Sequence, residues 1–233
     1  MKKILGILGG MGPRASAEFL NTIYELNISD LEQELPACIL YSDPTFPDRT
    51  EAIVTKSEDL LISLLVETLE KLIQLGASKV VITCITTHHF LPRVPAHLRE
   101  NIISLIDLII QEILHTKKRY LLLCTNGTRQ VGIFQKHHQW HLAEQYVRFP
   151  NQEDQSMVHS LIYHLKKNGY QESMVLSLDN LVKKYQVDSL IAGCTEFHLL
   201  TKHLIRYKGQ NDCIVDPLLS LAKNFDMCEL GGW

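Results

Sequence analysis

The chain has 233 residues, enough for one large domain or two small ones. At 45% hydrophobic and 21% charged, it has the composition of an ordinary globular protein with a sizeable core, which excludes a disordered or fibrous chain. The formal net charge is −3 with both signs mixed along the chain, so no nucleic-acid partner is expected, and Lys117-Lys118-Arg119 and Lys166-Lys167 read as solvated helix ends or loops.

Lys2-Lys3 followed by Ile4–Leu8 looks mildly like a secretory leader. The apolar run is shorter than the roughly 7–15 residues such a leader needs, and glycines interrupt it. It reads as a first buried strand. Lys3–Leu8, Ala37–Tyr41, Lys79–Thr83, Tyr120–Cys124, Ser189–Ala192 and Cys213–Val215 are near-continuous apolar runs of strand length. Between them, Ala15–Leu26, Ser57–Leu75, Arg99–His115, Gln155–Lys167 and Leu176–Tyr185 carry helical spacing. This alternation predicts an α/β fold of parallel strands flanked by helices. No uncharged apolar run reaches the ~18 residues of a membrane helix, so no membrane partner is expected. Six cysteines are scattered without a CxxC pair, which fits reduced thiols and a cytoplasmic protein.

The two halves resemble each other. KKILGILGGMG at 2–12 parallels KKRYLLLCTNGT at 117–128, and SKVVITC ending at Cys84 parallels DSLIAGC ending at Cys194. A repeat of this length predicts two similar lobes rather than a solenoid. Each of the two cysteines then follows the carboxyl end of a parallel strand, where open α/β sheets bind ligands. A cysteine on each side of one cleft suits removal of a proton from one face of a carbon and delivery to the other. A thiol has a pKa near ~8.5 that a cation or helix N-terminus lowers, and a pKa near the working pH favours acid–base chemistry. Thr86 and Thr195 are placed to cap helices that follow the cysteines. Cys38, Cys124, Cys213 and Cys228 read as inert buried thiols.

These segments resemble the aspartate/glutamate racemase family. The likeness rests on GILGGMGP at Gly6–Pro13, PDRT at Pro47–Thr50, Cys84-Ile85-Thr86-Thr87-His88 in place of CNTAH, Thr125-Asn126-Gly127-Thr128, Gly193-Cys194-Thr195-Glu196 and Asp216-Pro217. The resemblance implies two Rossmann-like lobes, one from 1–115 plus 215–233 and one from 116–214, with the site in the cleft between them. It implies a cofactor-independent amino-acid racemase, a small-molecule amino-acid substrate, and a homodimer. Cys84 and Cys194 would be the acid–base pair. Arg49 and Lys167 would hold the side-chain carboxylate, with Lys166 competing for that alignment. Met11, Thr86, Thr87, Thr128 and Thr195 would line the substrate. His88 either orients its loop or tunes Cys84, and Glu196 either binds its own turn or supports Cys194. Ile85 departs from the family asparagine and offers the substrate only its backbone, which opens the door to a broader or non-acidic substrate. A cysteine-dependent isomerase or decarboxylase of a small dicarboxylate and a silent binding protein are the alternatives.

Two further patterns have blander readings. Gly10-Met11-Gly12-Pro13-Arg14-Ala15 fits a dinucleotide fingerprint, but Pro13 removes an N–H from the turn that would cradle the phosphates. His137, His138 and His141 have metal-ligand spacing without carboxylates in a fixed pattern, so no metal is expected.

Overall fold

The computed structural model describes residues 3–209 and 213–225. Cys228 and the rest of 226–233, assigned above to the first lobe, lie outside the described residues. In chain order the first half runs β1 (Ile4–Gly9), α1 (Pro13–Leu26), β2 (Ala37–Ser42), α2 (Arg49–Thr55), α3 (Asp59–Gln74), β3 (Ala77–Ile82), a 3₁₀ segment (Ile85–Arg93), α4 (Ala96–Arg99), β4 (Ile102–Ile103) and α5 (Leu105–Thr116). The second half runs β5 (Tyr120–Cys124), α6 (Asn126–Val131), α7 (Trp140–Ala143), β6 (Val147–Arg148), α8 (Gln152–Asn168), α9 (Ser173–Tyr185), β7 (Ser189–Gly193), α10 (Phe197–Lys208), β8 (Ile214–Val215) and α11 (Pro217–Lys223).

The strands form two four-stranded parallel sheets of matching order, β2-β1-β3-β4 and β6-β5-β7-β8. The expected α/β fold of two similar lobes is what the chain adopts. In each sheet the chain steps outward from the first strand to the second, then returns to add the third on the other side. That reversal opens a crevice at the carboxyl ends of the two central strands. The turns after β1 and β3 meet at one such crevice, and those after β5 and β7 at the other.

The core is continuous between the lobes. One apolar cluster takes Leu5, Ile7 and Val81 from the first sheet and Leu122, Cys124 and Ile191 from the second. Between them lies α5, which buries Leu105, Ile106, Leu108, Ile109, Ile110 and Ile113. Each such fully buried side chain contributes roughly 1.5–3 kcal/mol by leaving water. Separate clusters lie under α3 in the first lobe and under α8, α9 and α10 in the second. The chain returns at its end: β8 pairs with β7, while α11 packs against α1 and α5.

One expected helix is corrected. The stretch 99–115 is broken: α4 ends at Arg99, Ile102-Ile103 pair with Val80-Val81, and α5 starts afresh at Leu105. Ser104 causes the restart, because its hydroxyl accepts from the Asp107 N–H (3.1 Å) and caps α5.

Candidate active site

The turn after β1 is built by two glycines for different reasons. Gly10 has φ +91°, and any Cβ there would strike the backbone of Asp43. Gly12 is extended, but a Cβ there would overlap Oε1 of Glu196 from the other lobe. Pro13 then starts α1 at the position where its missing N–H costs nothing. The space beside Gly12 thus holds a carboxylate, which repels the pyrophosphate a dinucleotide would bring. Between the glycines, the Met11 carbonyl accepts from Arg49 Nη2 (2.6 Å), and its sulfur accepts from the Thr87 hydroxyl (3.1 Å).

Arg49 is the first residue of α2. Asp48 before it caps the helix, accepting from the Glu51 N–H (3.0 Å). Nη1 of Arg49 donates to Pro47 O (2.9 Å), while Nε is buried and has no partner. Burial opposes the guanidinium charge, but Cys84, Asp48 and Glu196 outweigh it and raise the pKa above its ordinary value. The residue is therefore a cleft cation with a spare donor, and not the partner of a surface carboxylate.

Cys84 lies two residues past β3, and Cys194 directly follows β7. Arg49, Cys84 and Cys194 are 7%, 8% and 5% exposed, so the cluster is almost dry. Cys194 Sγ–H donates to Glu196 Oε2 (2.7 Å). Burial, and then the Glu196 charge, hold this thiol well above its ordinary pKa, with Lys166 opposing. Cys194 is therefore held as the thiol. Glu196 Oε1 faces Lys166 Nζ at 3.8 Å. Lys166 keeps a raised pKa although burial works against it, because Glu196, Cys194 and Cys84 are near; Arg49 pulls the other way. The two thiols, Arg49, Lys166 and Glu196 thus act on one another as a single electrostatic cluster. Among the described residues, no group of three or more His, Cys, Asp or Glu is placed to hold a metal ion.

The hydroxyls expected around the substrate are drawn together between the lobes. Thr86 Oγ1 meets Thr128 Oγ1 at 2.8 Å and Thr125 Oγ1 at 3.4 Å. Thr195 donates to Thr83 O across the cleft (2.9 Å). Neither Thr86 nor Thr195 caps a helix, contrary to expectation: a 3₁₀ segment follows Cys84, and Glu196 occupies the N-cap of α10. Their hydroxyls are spent on tying one lobe to the other.

Three more expectations resolve. Lys167 is exposed, and Lys166 is the lysine that faces the cleft. One residue on a helix turns the side chain by about 100°, so only one of the pair reaches the site. Ile85 is 1% exposed and sits in the apolar cluster with Val81 and Ile103, which leaves its backbone as its only polar offering. His88 orients its loop. Its Nε2 accepts from the Leu105 N–H (3.2 Å), so Nδ1 carries the proton that goes to Cys84 O (3.2 Å). Burial lowers its pKa, in keeping with that neutral form.

Two residues near the site, Tyr163 and His198, are not singled out by the sequence pattern. Tyr163 on α8 donates to Asp48 Oδ2 (2.8 Å), and Lys166 lies over its ring at 4.6 Å. The Asp48-to-Glu51 spacing is a capping signal that would have placed α2. His198 repeats the spacing of Cys84 to His88 from Cys194, which is the clue to its role. It is fully buried, with Nδ1 2.7 Å from Asp216 Oδ2 and Nε2 2.9 Å from Thr22 Oγ1. Thr22 Oγ1 also donates to Glu18 O (2.8 Å). The Asp216 carboxylate also caps α11 through the Leu218 and Leu219 N–H groups.

Paired parallel sheets that present thiol-bearing loops across one charged cleft define a two-lobed α/β architecture built for small ligands. Residues 8–223 match the family model for Asp/Glu/Hydantoin racemase, and the chain belongs to that family. It is 24% identical over 230 residues to the broad specificity amino-acid racemase RacX of Bacillus subtilis (strain 168), covering 95% of this chain and 96% of that one. The structure of Picrophilus torridus aspartate racemase superposes with a TM-score of 0.80 at 25% identity, over 99% of this chain and 94% of that one. Glutamate racemase from Campylobacter jejuni subsp. jejuni shares the fold, with a TM-score of 0.62 at 18% identity over 96% and 84% of the two chains.

Proposed function

We propose that this chain racemises an acidic amino acid, aspartate or glutamate, without a cofactor, using Cys84 and Cys194 as its two acid–base groups. The observation that carries this reading is the single buried cluster in which both thiols meet Arg49, Lys166 and Glu196. A thiolate at Cys84 takes the α-proton: the Cα–H bond breaks and S–H forms. The thiol of Cys194 delivers its proton to the opposite face, leaving a thiolate there. The reverse direction exchanges the roles. Glu196 favours the protonated form of Cys194, so Cys194 is the acid of the resting protein. Arg49 and Lys166 bring two cations into a cluster that also holds the Glu196 carboxylate and the Cys84 sulfur, and so offer positive groups to the carboxylates of aspartate or glutamate. The spare Nε–H of Arg49 gives a carboxylate a donor that is otherwise orphaned.

A second reading, a racemase of broader specificity, is favoured by one observation. Ile85 puts a buried hydrocarbon where the family pattern carries a polar side chain. One experiment separates the readings. The reduced protein is incubated with each amino acid in D2O, and loss of the α-proton signal is followed by NMR. Exchange confined to aspartate or glutamate supports the acidic reading, and exchange across neutral amino acids supports the second. Alanine at either cysteine abolishes racemisation on this mechanism; full activity in either variant refutes it.

The reading carries a lobe from 1–115 plus 215–233, a lobe from 116–214, and a homodimer in the cytoplasm. The packing of α11 on α1 and α5 supports the division. Sedimentation at micromolar concentration tests the dimer.

A further inference from the structure

Tyr163 touches the machinery of both cations assigned to the substrate's side-chain carboxylate. Its hydroxyl reaches from α8 in the second half to Asp48 Oδ2 in the first (2.8 Å). The other Asp48 oxygen holds the first turn of α2 through the Glu51 N–H. Arg49 is the next residue, so the hydroxyl grips the segment from which Arg49 projects. Burial works against ionised Asp48, but the Glu51 N–H and the Tyr163 hydroxyl overcome it and lower its pKa. The acceptor is therefore a full carboxylate.

The ring does separate work. Lys166 Nζ lies 4.6 Å from the Tyr163 ring centroid, one helical turn further along α8. Its distance to Glu196 Oε1, 3.8 Å, exceeds a direct hydrogen bond. The ring is thus the surface against which the ammonium rests. The ring is itself backed by His159, with centroids 4.6 Å apart, and His159 Nδ1 accepts from the Asn126 N–H (3.2 Å). A short chain of contacts therefore fixes the ring to the turn after β5.

We propose that Tyr163 is a positioning residue that sets the spacing between Arg49 and Lys166, and thereby selects substrates carrying a side-chain carboxylate. The inference rests on the acidic-substrate reading. It assigns the hydroxyl to the placement of Arg49 and the ring to the placement of Lys166, so the two contributions are separable by substitution. Tyr163 moves no proton and touches no reacting atom.

The test compares wild type, Tyr163→Phe and Tyr163→Leu in α-proton exchange with aspartate, glutamate and any neutral amino acid that wild type turns over. Unfolding midpoints are measured alongside. Tyr163→Phe keeps the ring and loses one hydrogen bond to a charged group, which predicts an approximately tenfold rise in KM for the acidic substrate. Its kcat stays within about twofold, because no step of the proton transfer is removed. Tyr163→Leu also removes the cation's resting face and raises KM by roughly a further tenfold. Neutral substrates keep their KM in both variants. A purely structural role would instead lower kcat, or raise KM alike for acidic and neutral substrates, and either result overturns the assignment. An unchanged acidic KM in Tyr163→Phe overturns it too, and this conservative variant decides the matter if Tyr163→Leu does not fold. Exchange of no acidic amino acid by wild type defeats the acidic reading and this inference with it. Acidic exchange with unaffected variants defeats only the role of Tyr163.

Discussion

Replacing Gly12 by alanine tests whether the two lobes share one active site. The backbone at Gly12 is extended, with φ −166°, a conformation alanine adopts freely. Loss of glycine's freedom in the unfolded chain would by itself stabilise the protein by about 0.4–1 kcal/mol. Against this, the new methyl would overlap Oε1 of Glu196 and stand 3.1 Å from its Cδ. Glu196 must retreat by roughly 1 Å to recover an ordinary separation, and overpacking of this kind costs about 1–3 kcal/mol. The clash wins, so urea unfolding should show a net loss of about 1–2 kcal/mol. The same retreat opens the 2.7 Å contact between Cys194 and Glu196. A hydrogen bond to a charged group is worth about 1.5–3 kcal/mol, which predicts an α-proton exchange rate lower by about 10- to 150-fold. In a Glu196→Gln background the kinetic effect should shrink, because the two changes act on one contact. A Gly12→Ala protein as stable as wild type, exchanging within about twofold of its rate, would refute the coupling.

Three further outcomes are expected. The Cys124 thiol, pushed up to about 12 by burial, should resist iodoacetamide in the native protein at pH 8 (peptide mapping reads this), and rapid native labelling would contradict its burial. Burial sets the folded-state pKa of His88 below its ordinary 6.5. The unfolded chain therefore takes up that proton first, so this contribution is complete above the unfolded value and is lost as pH falls below it, by up to about 1.4 kcal/mol per pH unit; urea titrations from pH 8 to 5 should give a shallower acid slope for His88→Gln than for wild type. Asp216→Ala removes a helix cap and leaves His198 buried without its carboxylate, so stability should drop by about 3–5 kcal/mol, and a loss below 1 kcal/mol by chemical denaturation would show that the pair is not buried as described.

The sheets were readable because buried parallel strands are plain apolar runs, and the two catalytic candidates because each ends such a run. The two-residue strands β4 and β6 carry no period at all, so 99–115 passed as one helix. The lysines at 166 and 167 are chemically alike and adjacent. Only Tyr163 on the same helix face and Glu196 across the cleft decide between them, and neither is visible from composition. Thr86 and Thr195 looked like caps because threonine often caps helices; partners 39 to 112 positions away claimed their hydroxyls instead. The contact of Tyr163 with Asp48 spans 115 positions and that of His198 with Thr22 spans 176, distances over which local pattern says nothing.

On the two-thiol mechanism proposed above, the unlike surroundings of Cys84 and Cys194 have a consequence for kinetics. Mirror-image substrates have equal free energy, so the equilibrium constant of a racemase is unity, and kcat/KM must be the same in both directions. No arrangement of charges around the two sulfurs can make such a protein favour one enantiomer at equilibrium. The hydrogen bond from Cys194 to Glu196 can only divide the same catalytic efficiency differently, giving one enantiomer tighter binding with slower turnover and the other the reverse. Initial rates measured from each side at saturating substrate would therefore differ, while progress curves from both sides meet at an equal mixture.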